Sequence, residues 1–210
     1  MWPCTRRFVT LAHRHRRYGA GMIYLKFLQR GLIVNHKRVE RLYAKADLQV
    51  RRRQHMKVSM SDRQPLVRPE AASEVWPMDF VFDRSADRRV IKCLTIVDDA
   101  THEAVTVVPE RAIGGSTLTR VLDRLADTRA GQRVLRTDND EKFCGHTMLP
   151  WAHAHNVTLR LIELSKPNQN AYIESFNGRL RNECLNEHWF LNLAHAQAPI
   201  ETWRREYSEE

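Results

Sequence analysis

The sequence predicts an α/β fold: a five-stranded mixed sheet with flanking helices, preceded by a small helical unit. Three observations carry that prediction. Residues 75–108 read as three strand-like runs in close succession. Residues 116–162 then alternate helix, strand, helix, strand. The charge divides in the same way: the chain of 210 residues carries +9 overall, from 34 Lys plus Arg against 25 Asp plus Glu. Residues 1–70 hold 17 basic and 4 acidic side chains, net +13, whereas residues 71–210 hold 17 and 21, net −4. A basic arm joined to a mildly acidic body is the asymmetry of a nucleic-acid binder whose second part does something else. The expected division is a basic helix-turn-helix region over 1–56, a linker over 57–74 and a second domain over 75–210.

At 42% apolar and 28% charged, the chain can bury a real core, which excludes wholesale disorder. No run approaches the roughly 18 apolar residues of a membrane span. The start, Met-Trp-Pro-Cys-Thr-Arg-Arg, lacks the charged-then-apolar order of a secretory signal, so a cytoplasmic, DNA-associated location is expected. Cys4, Cys93, Cys144 and Cys184 lie far apart without a CxxC pair, the pattern of reduced thiols. The pairs His13/His15 and His153/His155 have no nearby Cys and read as solvated side chains.

Each element has a local reason. Over 18–30, Met22, Leu25 and Leu28 fall on one helical face, and Gly31 can close the helix. Asn35 can cap a second helix over 36–46, with Val39, Leu42 and Tyr43 as its buried stripe. Two short helices about a tight turn make a helix-turn-helix, whose second helix presents His36, Lys37, Arg38, Arg41 and Lys45 outward. Arg51-Arg52-Arg53 follows at once. Phosphate attraction needs only such charge and names no base. Residues 57–74, with two prolines and little periodicity, read as the linker.

From Val75 the pattern changes. Val75–Phe82, Val90–Val97 and Glu103–Val108 read as an antiparallel meander, the first strand despite Pro77. Ser116–Arg129 is helical, with Leu118, Val121, Leu122 and Leu125 as its apolar face and Ser116 as its cap. Arg133–Thr137 is a fourth strand, His146–His155 a helix and Val157–Ile162 a fifth strand. A long helix runs from Asn170 to about His188, packed through Ile173, Phe176, Leu180 and Cys184; another spans Leu193–Tyr207. That order is the ribonuclease-H-like layout.

Three carboxylates break these patterns. Asp79 interrupts the apolar run Trp76-Pro-Met-Asp-Phe-Val-Phe, Asp138 follows the fourth strand directly, and Glu174 sits in the first turn of the long helix. With strands one and four as neighbours, Asp79 and Asp138 open at one edge of the sheet, and the helix carries Glu174 across. Converging carboxylates repel unless a cation binds among them, and hard oxygen donors favour Mg²⁺ or Mn²⁺. Two such ions, about 3.5–4 Å apart, stabilise both the attacking and the leaving oxygen of a phosphodiester. Asp98 and Asp99 compete as ligands but read as turn residues, with Asp99 bonding the backbone near Thr101.

Spacing joins the three. Asp138 and Glu174 are separated by 35 residues, with Trp76-Pro-Met-Asp79 upstream. With Asn35-His-Lys-Arg-Val, Arg41-Leu-Tyr and Leu94-Thr-Ile-Val-Asp-Asp99, this resembles the retroviral-integrase-like DDE transposases. The likeness is strongest to insertion-sequence transposases whose catalytic part is encoded by a second reading frame. Its most specific stretches are Lys166-Pro-Asn-Gln-Asn-Ala-Tyr-Ile-Glu-Ser-Phe-Asn-Gly and Asn182-Glu-Cys-Leu-Asn-Glu-His-Trp-Phe190; it covers about residues 14–208.

The resemblance implies an integrase catalytic core over 75–210 that cleaves DNA and transfers the strand during transposition. Asp79, Asp138 and Glu174 would be catalytic and would hold the two metal ions. Lys166, Asn170, Tyr172 and Asn177 match positions lining the active site or its DNA-facing loop, although capping or surface roles suit them equally. The implied partners are the element's terminal repeats, target DNA, further copies of the chain and the first-frame product, with no membrane. After Asp138-Asn139 the family continues Gly-Pro-Glu-Phe, whereas this chain has Asp140-Glu141-Lys142-Phe143. It also lacks the family's basic segment beyond Glu210 and the zipper-bearing first-frame portion. The expectation is therefore a truncated relative, with a copy that binds DNA without catalysis as the alternative and a simple metal-dependent nuclease as a third reading.

Overall fold

The structure, a computed structural model, describes residues 3–15, 18–48, 69, 71–129, 133–138, 143, 146–162 and 170–209, with side chains from Phe8 onward. The chain forms two compact units, Met1–Met60 and Ser61–Glu210. Most of the expected linker, 57–74, lies outside the described residues.

The first unit holds three helices: α1 (Pro3–Arg14), α2 (Ala20–Gln29) and α3 (His36–Lys45). Helix α1 has no counterpart in the periodicity reading, and it changes which face of α2 is buried. Phe8 of α1 stacks on Phe27 and meets Tyr43 edge-on. Ile23 and Phe27, four apart, therefore form the buried stripe, while Leu25 and Leu28 are each 42% exposed. The expected Met22–Leu25–Leu28 face is displaced by this third helix. The turn between α2 and α3 is built as anticipated. Gly31 (φ +69°) donates to Leu28 O at 2.9 Å, and Leu32 N donates to Phe27 O at 2.9 Å, a Schellman motif that requires left-handed backbone. Asn35 then caps α3 by accepting from Lys37 N at 2.9 Å. Val39 and Tyr43 are buried, and the Tyr43 hydroxyl donates to Tyr18 O at 2.8 Å.

In the second unit, β1 (Val75–Arg84), β2 (Val90–Val97) and β3 (Ala104–Glu110) form the antiparallel meander. After α4 (Gly115–Thr128), β4 (Val134–Thr137) pairs parallel with β1; after α5 (Met148–Ala154), β5 (Thr158–Leu161) pairs parallel with β4. The sheet order is β3-β2-β1-β4-β5. Pro77 is tolerated because the ladder to β2 starts only at Met78, so Pro77 is paired on the β4 side alone. Helix α4 begins at Gly114–Gly115, one turn position earlier than the Ser116 cap expected, and the Ser116 side chain caps nothing among the described residues.

Two cores flank the sheet. On one face Trp76, Met78, Leu94, Ile96 and Leu135 pack under Leu118 and Leu122 of α4 and under Met148, Trp151 and Ala152 of α5. On the other face Val81, Ile91, Cys93, Val97 and Val107 meet α6 (Ala171–Leu180), a π-helical turn (Arg181–Leu185) and α7 (Leu193–Ser208). The expected packing side of α6 is observed: Ile173, Phe176, Leu180 and Cys184 are all buried. The helix does not stay α-helical to His188, because its period changes at Arg181. Cys93 and Cys184 are buried free thiols whose pKa burial pushes up to about 12, the state of inert core thiols. No helix among the described residues is long and apolar enough to cross a membrane.

Phe176 (1% exposed) contacts both Trp203 and Tyr207 of α7. Phe176→Ala is expected to cost about 3–5 kcal/mol in urea unfolding of the second unit. A loss under about 1 kcal/mol would show that α6 is not held by this cluster.

Candidate active site and nucleic-acid interface

The sheet brings Asp79 and Asp138 together through register. Pro77 lies opposite Arg136, so two residues further on Asp79 and Asp138 stand side by side on the same face. Asp79 is half-buried in mid-strand, whereas Asp138 is exposed just past the end of β4. Helix α6 packs on that face. Its buried positions leave Glu174 exposed in the first turn and Asn177 half-buried one turn later. Asn177 Nδ2 donates to Asp79 Oδ2 at 2.7 Å, and Phe80 N donates to Asp79 Oδ1 at 2.6 Å.

Electrostatics tie the three acids to one place. Burial raises the Asp79 carboxyl above its usual range; the bonds from Phe80 and Asn177 oppose this, and the charges of Asp138 and then Glu174 add to it. Among the described residues, no three His, Cys, Asp or Glu side chains already stand as a metal-holding group. The trio thus lies within electrostatic reach of one another without being gathered on a single point.

The other expected site residues separate. Asn170 is buried at the cap position of α6, and among the described residues its Oδ1 accepts no hydrogen bond. Tyr172 turns away from the acids: its hydroxyl donates to His102 O at 2.9 Å and lies 3.0 Å from the Tyr207 hydroxyl. Burial is the first cause raising its pKa. Lys166, the run Arg51-Arg52-Arg53 and the segment Asp140-Glu141-Lys142 lie outside the described residues. On α3, Lys37, Arg38, Arg41 and Lys45 are all exposed. Asn35, Val39 and Tyr43 fix that helix, so four cations ride on a rigid element.

The turn after β2 corrects one reading and adds a contact that periodicity does not show. Asp98, not Asp99, bonds the local backbone. Its Oδ1 accepts from Ala100 N at 2.9 Å and Thr101 N at 3.1 Å, and its Oδ2 accepts from Ser73 N. Asp99 instead forms a buried ion pair with Arg136 (Nη2 to Oδ1, 2.9 Å), both side chains under a tenth exposed. The contact is close but poorly aligned: neither Nε nor Nη2 of Arg136 has an acceptor in hydrogen-bond geometry among the described residues. A signal was present in the sequence, since an arginine in the short run Val134-Leu-Arg-Thr137 needs a partner if that strand is buried.

Known proteins match this arrangement. The integrase core domain family matches residues 69–167 and, through a second integrase core domain profile, residues 155–210; the HTH-like domain family matches residues 9–55. An insertion element IS407 protein of 31.7 kDa from Burkholderia multivorans is 48% identical over 97% of this chain and 74% of its own length. An insertion element IS476 protein of 39.2 kDa from Xanthomonas euvesicatoria is 44% identical over 97% of this chain and 59% of its own. The chain thus spans about three quarters of the first relative and under two thirds of the second. Among solved structures, it superposes on a chain of the simian T-cell lymphotropic virus intasome in complex with PP2A regulatory subunit B56 gamma. The TM-score is 0.58 at 11% identity, over 94% of this chain and 67% of that one, a likeness of fold. The sheet order, the helices on both faces and these matches make the second unit a ribonuclease-H-like integrase core, and the chain belongs to the integrase core family, among the proteins of bacterial insertion elements.

Proposed function

We propose that the chain is the catalytic subunit of a DNA transposase, which cleaves DNA at the ends of its element and joins the freed 3′ end to another strand. The observation that supports this most is Asp79 in mid-strand beneath α6, bonded by Asn177 of that helix and acted on by the charges of Asp138 and Glu174. The donor set fits a hard divalent cation: three carboxylates supply only oxygen, and a cation relieves the repulsion among them. Mg²⁺ or Mn²⁺ bound there would supply a stabilised nucleophilic oxygen and leaving oxygen at the phosphodiester.

The chain's own residues do the rest. Asp79, rigid in mid-strand, anchors the site. Asp138 and Glu174, both more exposed, would hold the cation together with Asp79. Asn177 holds the Asp79 carboxylate by its hydrogen bond, and Asn170, at the cap of α6, would border the scissile strand; Lys166 is assigned to DNA contact by the resemblance alone. On the first unit, Lys37, Arg38, Arg41 and Lys45, with Arg51, Arg52 and Arg53, grip phosphates and leave sequence choice to contacts not assigned here. Transposition needs two DNA ends at once, so further copies of the chain and the first-frame product are the expected protein partners.

Three measurements test this reading. Asp138→Asn is expected to abolish joining of terminal-repeat DNA in Mg²⁺ while DNA binding is retained. Joining by that variant would remove Asp138 from the metal set; binding without joining by the unsubstituted chain would make it a binding-only copy. Lys37→Ala/Arg41→Ala should flatten the slope of log affinity against log salt by about 1.8 if each side chain neutralises one phosphate. An unchanged slope would clear α3 of the DNA. Because the folded state raises the pKa of Asp79 above the usual 3.8, ionising it opposes folding, and the opposition grows as pH rises through that raised value. Asp79→Asn should therefore raise the metal-free melting temperature at pH 7 and leave it nearly unchanged below pH ~3.8. A lower melting temperature at pH 7 would mean that the charge is satisfied, not crowded.

A further inference from the structure

The buried Asp99–Arg136 pair lies beside the site and takes no part in the chemistry just assigned. Continuing the alternation of β4 one residue past Thr137 would set Asp138 on the face of Arg136, about 6.6 Å further along the chain, while Leu135 turns into the opposite core. An arginine side chain spans such a distance. Its guanidinium carries a charge that pH does not remove, and only 4% of the residue is exposed. Arg136 is two residues from the proposed metal ligand Asp138, while Asp99 stands at the start of β1, against Val75. The guanidinium is found on Asp99.

Asp99 is itself held fast. Its backbone N donates to Val75 O at 3.1 Å, and the preceding Asp98 ties the turn to Ala100, Thr101 and Ser73. The anion therefore sits on a rigid turn anchored to the start of β1, the strand that carries Asp79. The imperfect alignment of Arg136 also leaves guanidinium donors without acceptors in hydrogen-bond geometry among the described residues, so this cation would readily accept another carboxylate.

We propose that Asp99 is a positioning residue, the counterion that keeps Arg136 from competing with a divalent cation for Asp138. This rests on the metal-site reading above. Without Asp99, Arg136 turns to Asp138 along the strand; it neutralises a ligand and repels the incoming metal. Removing the arginine as well removes the competitor, and a pair replaced as a unit is commonly tolerated.

The test is Mn²⁺ affinity of the whole chain, read from the electron paramagnetic resonance signal of free Mn²⁺, with circular dichroism showing that each variant is folded. Asp99→Asn is expected to weaken Mn²⁺ binding about tenfold or more. Asp99→Asn/Arg136→Met should return it to within about threefold of the unsubstituted chain, a rescue that a purely structural brace would not give. Normal binding by Asp99→Asn, or persistently weak binding by the folded double variant, overturns the proposal. Should Asp99→Asn not fold, weak Mn²⁺ binding by the folded double variant still overturns the proposal. Asp138→Asn separates the two layers. If it binds Mn²⁺ normally, the metal-site reading falls and this inference with it; if it loses binding while Asp99→Asn keeps it, only the role of Asp99 falls.

Discussion

A parallel pairing three residues long governs the site. Val75, Trp76 and Pro77 of β1 face Val134, Leu135 and Arg136 of β4, and continuing that register sets Asp79 beside Asp138. The constraint is unforgiving, because a slip of one residue turns every side chain of a strand to the other face. Such a slip would carry Asp138 and Arg136 into the apolar layer under α4 and would turn Leu135 out of it. The burial of Trp76 and Leu135, both 0% exposed, therefore sets the position of the acids as firmly as any polar contact. Helix α6 adds the second half of the geometry. Three buried residues, Ile173, Phe176 and Leu180, seat it on β1 and β2, and Asn177, one residue past Phe176, meets Asp79 from there.

What was legible in the sequence follows from how far each interaction reaches along the chain. Strands β1 to β5, the apolar faces of α4 and α6, the Asn35 cap and the Gly31 turn all depend on neighbours within a few residues, and all are found. The three acids stood out in the sequence because each breaks a local pattern, and their role remains the proposal made above. The contacts that organise them were not legible, since Asn177 reaches Asp79 across 98 residues and Tyr172 reaches His102 across 70. Nothing in the spacing announces which partner a side chain will meet. The two misplaced details share that cause. The face of α2 was inverted because α1, with its Phe8, was not anticipated, and Asp99 was assigned the backbone bonds that Asp98 makes because only the fold supplies Arg136.

The distribution of ion pairs sharpens the contrast between the two units. In the second unit Arg129 pairs with Glu103, Arg179 with Glu183, Arg204 and Arg205 with Glu201, and Arg136 with Asp99. Apart from the buried Arg136–Asp99 pair, such partly exposed pairs stabilise a fold little, commonly under about 1 kcal/mol each. Their larger effect here is to cancel fields: an arginine bound to a carboxylate contributes little long-range attraction for a polyanion. On α3 His36 pairs with Glu40, and Lys37, Arg41 and Lys45 stand on the exposed surface. In the proposed reading, attraction for DNA therefore belongs to the first unit, and it weakens with salt. The second unit contributes a locally neutralised surface in which crowded carboxylates remain the notable charge. A divalent cation suits such a site, and in that reading Asp99 matters because it holds Arg136, two residues from Asp138, away from it.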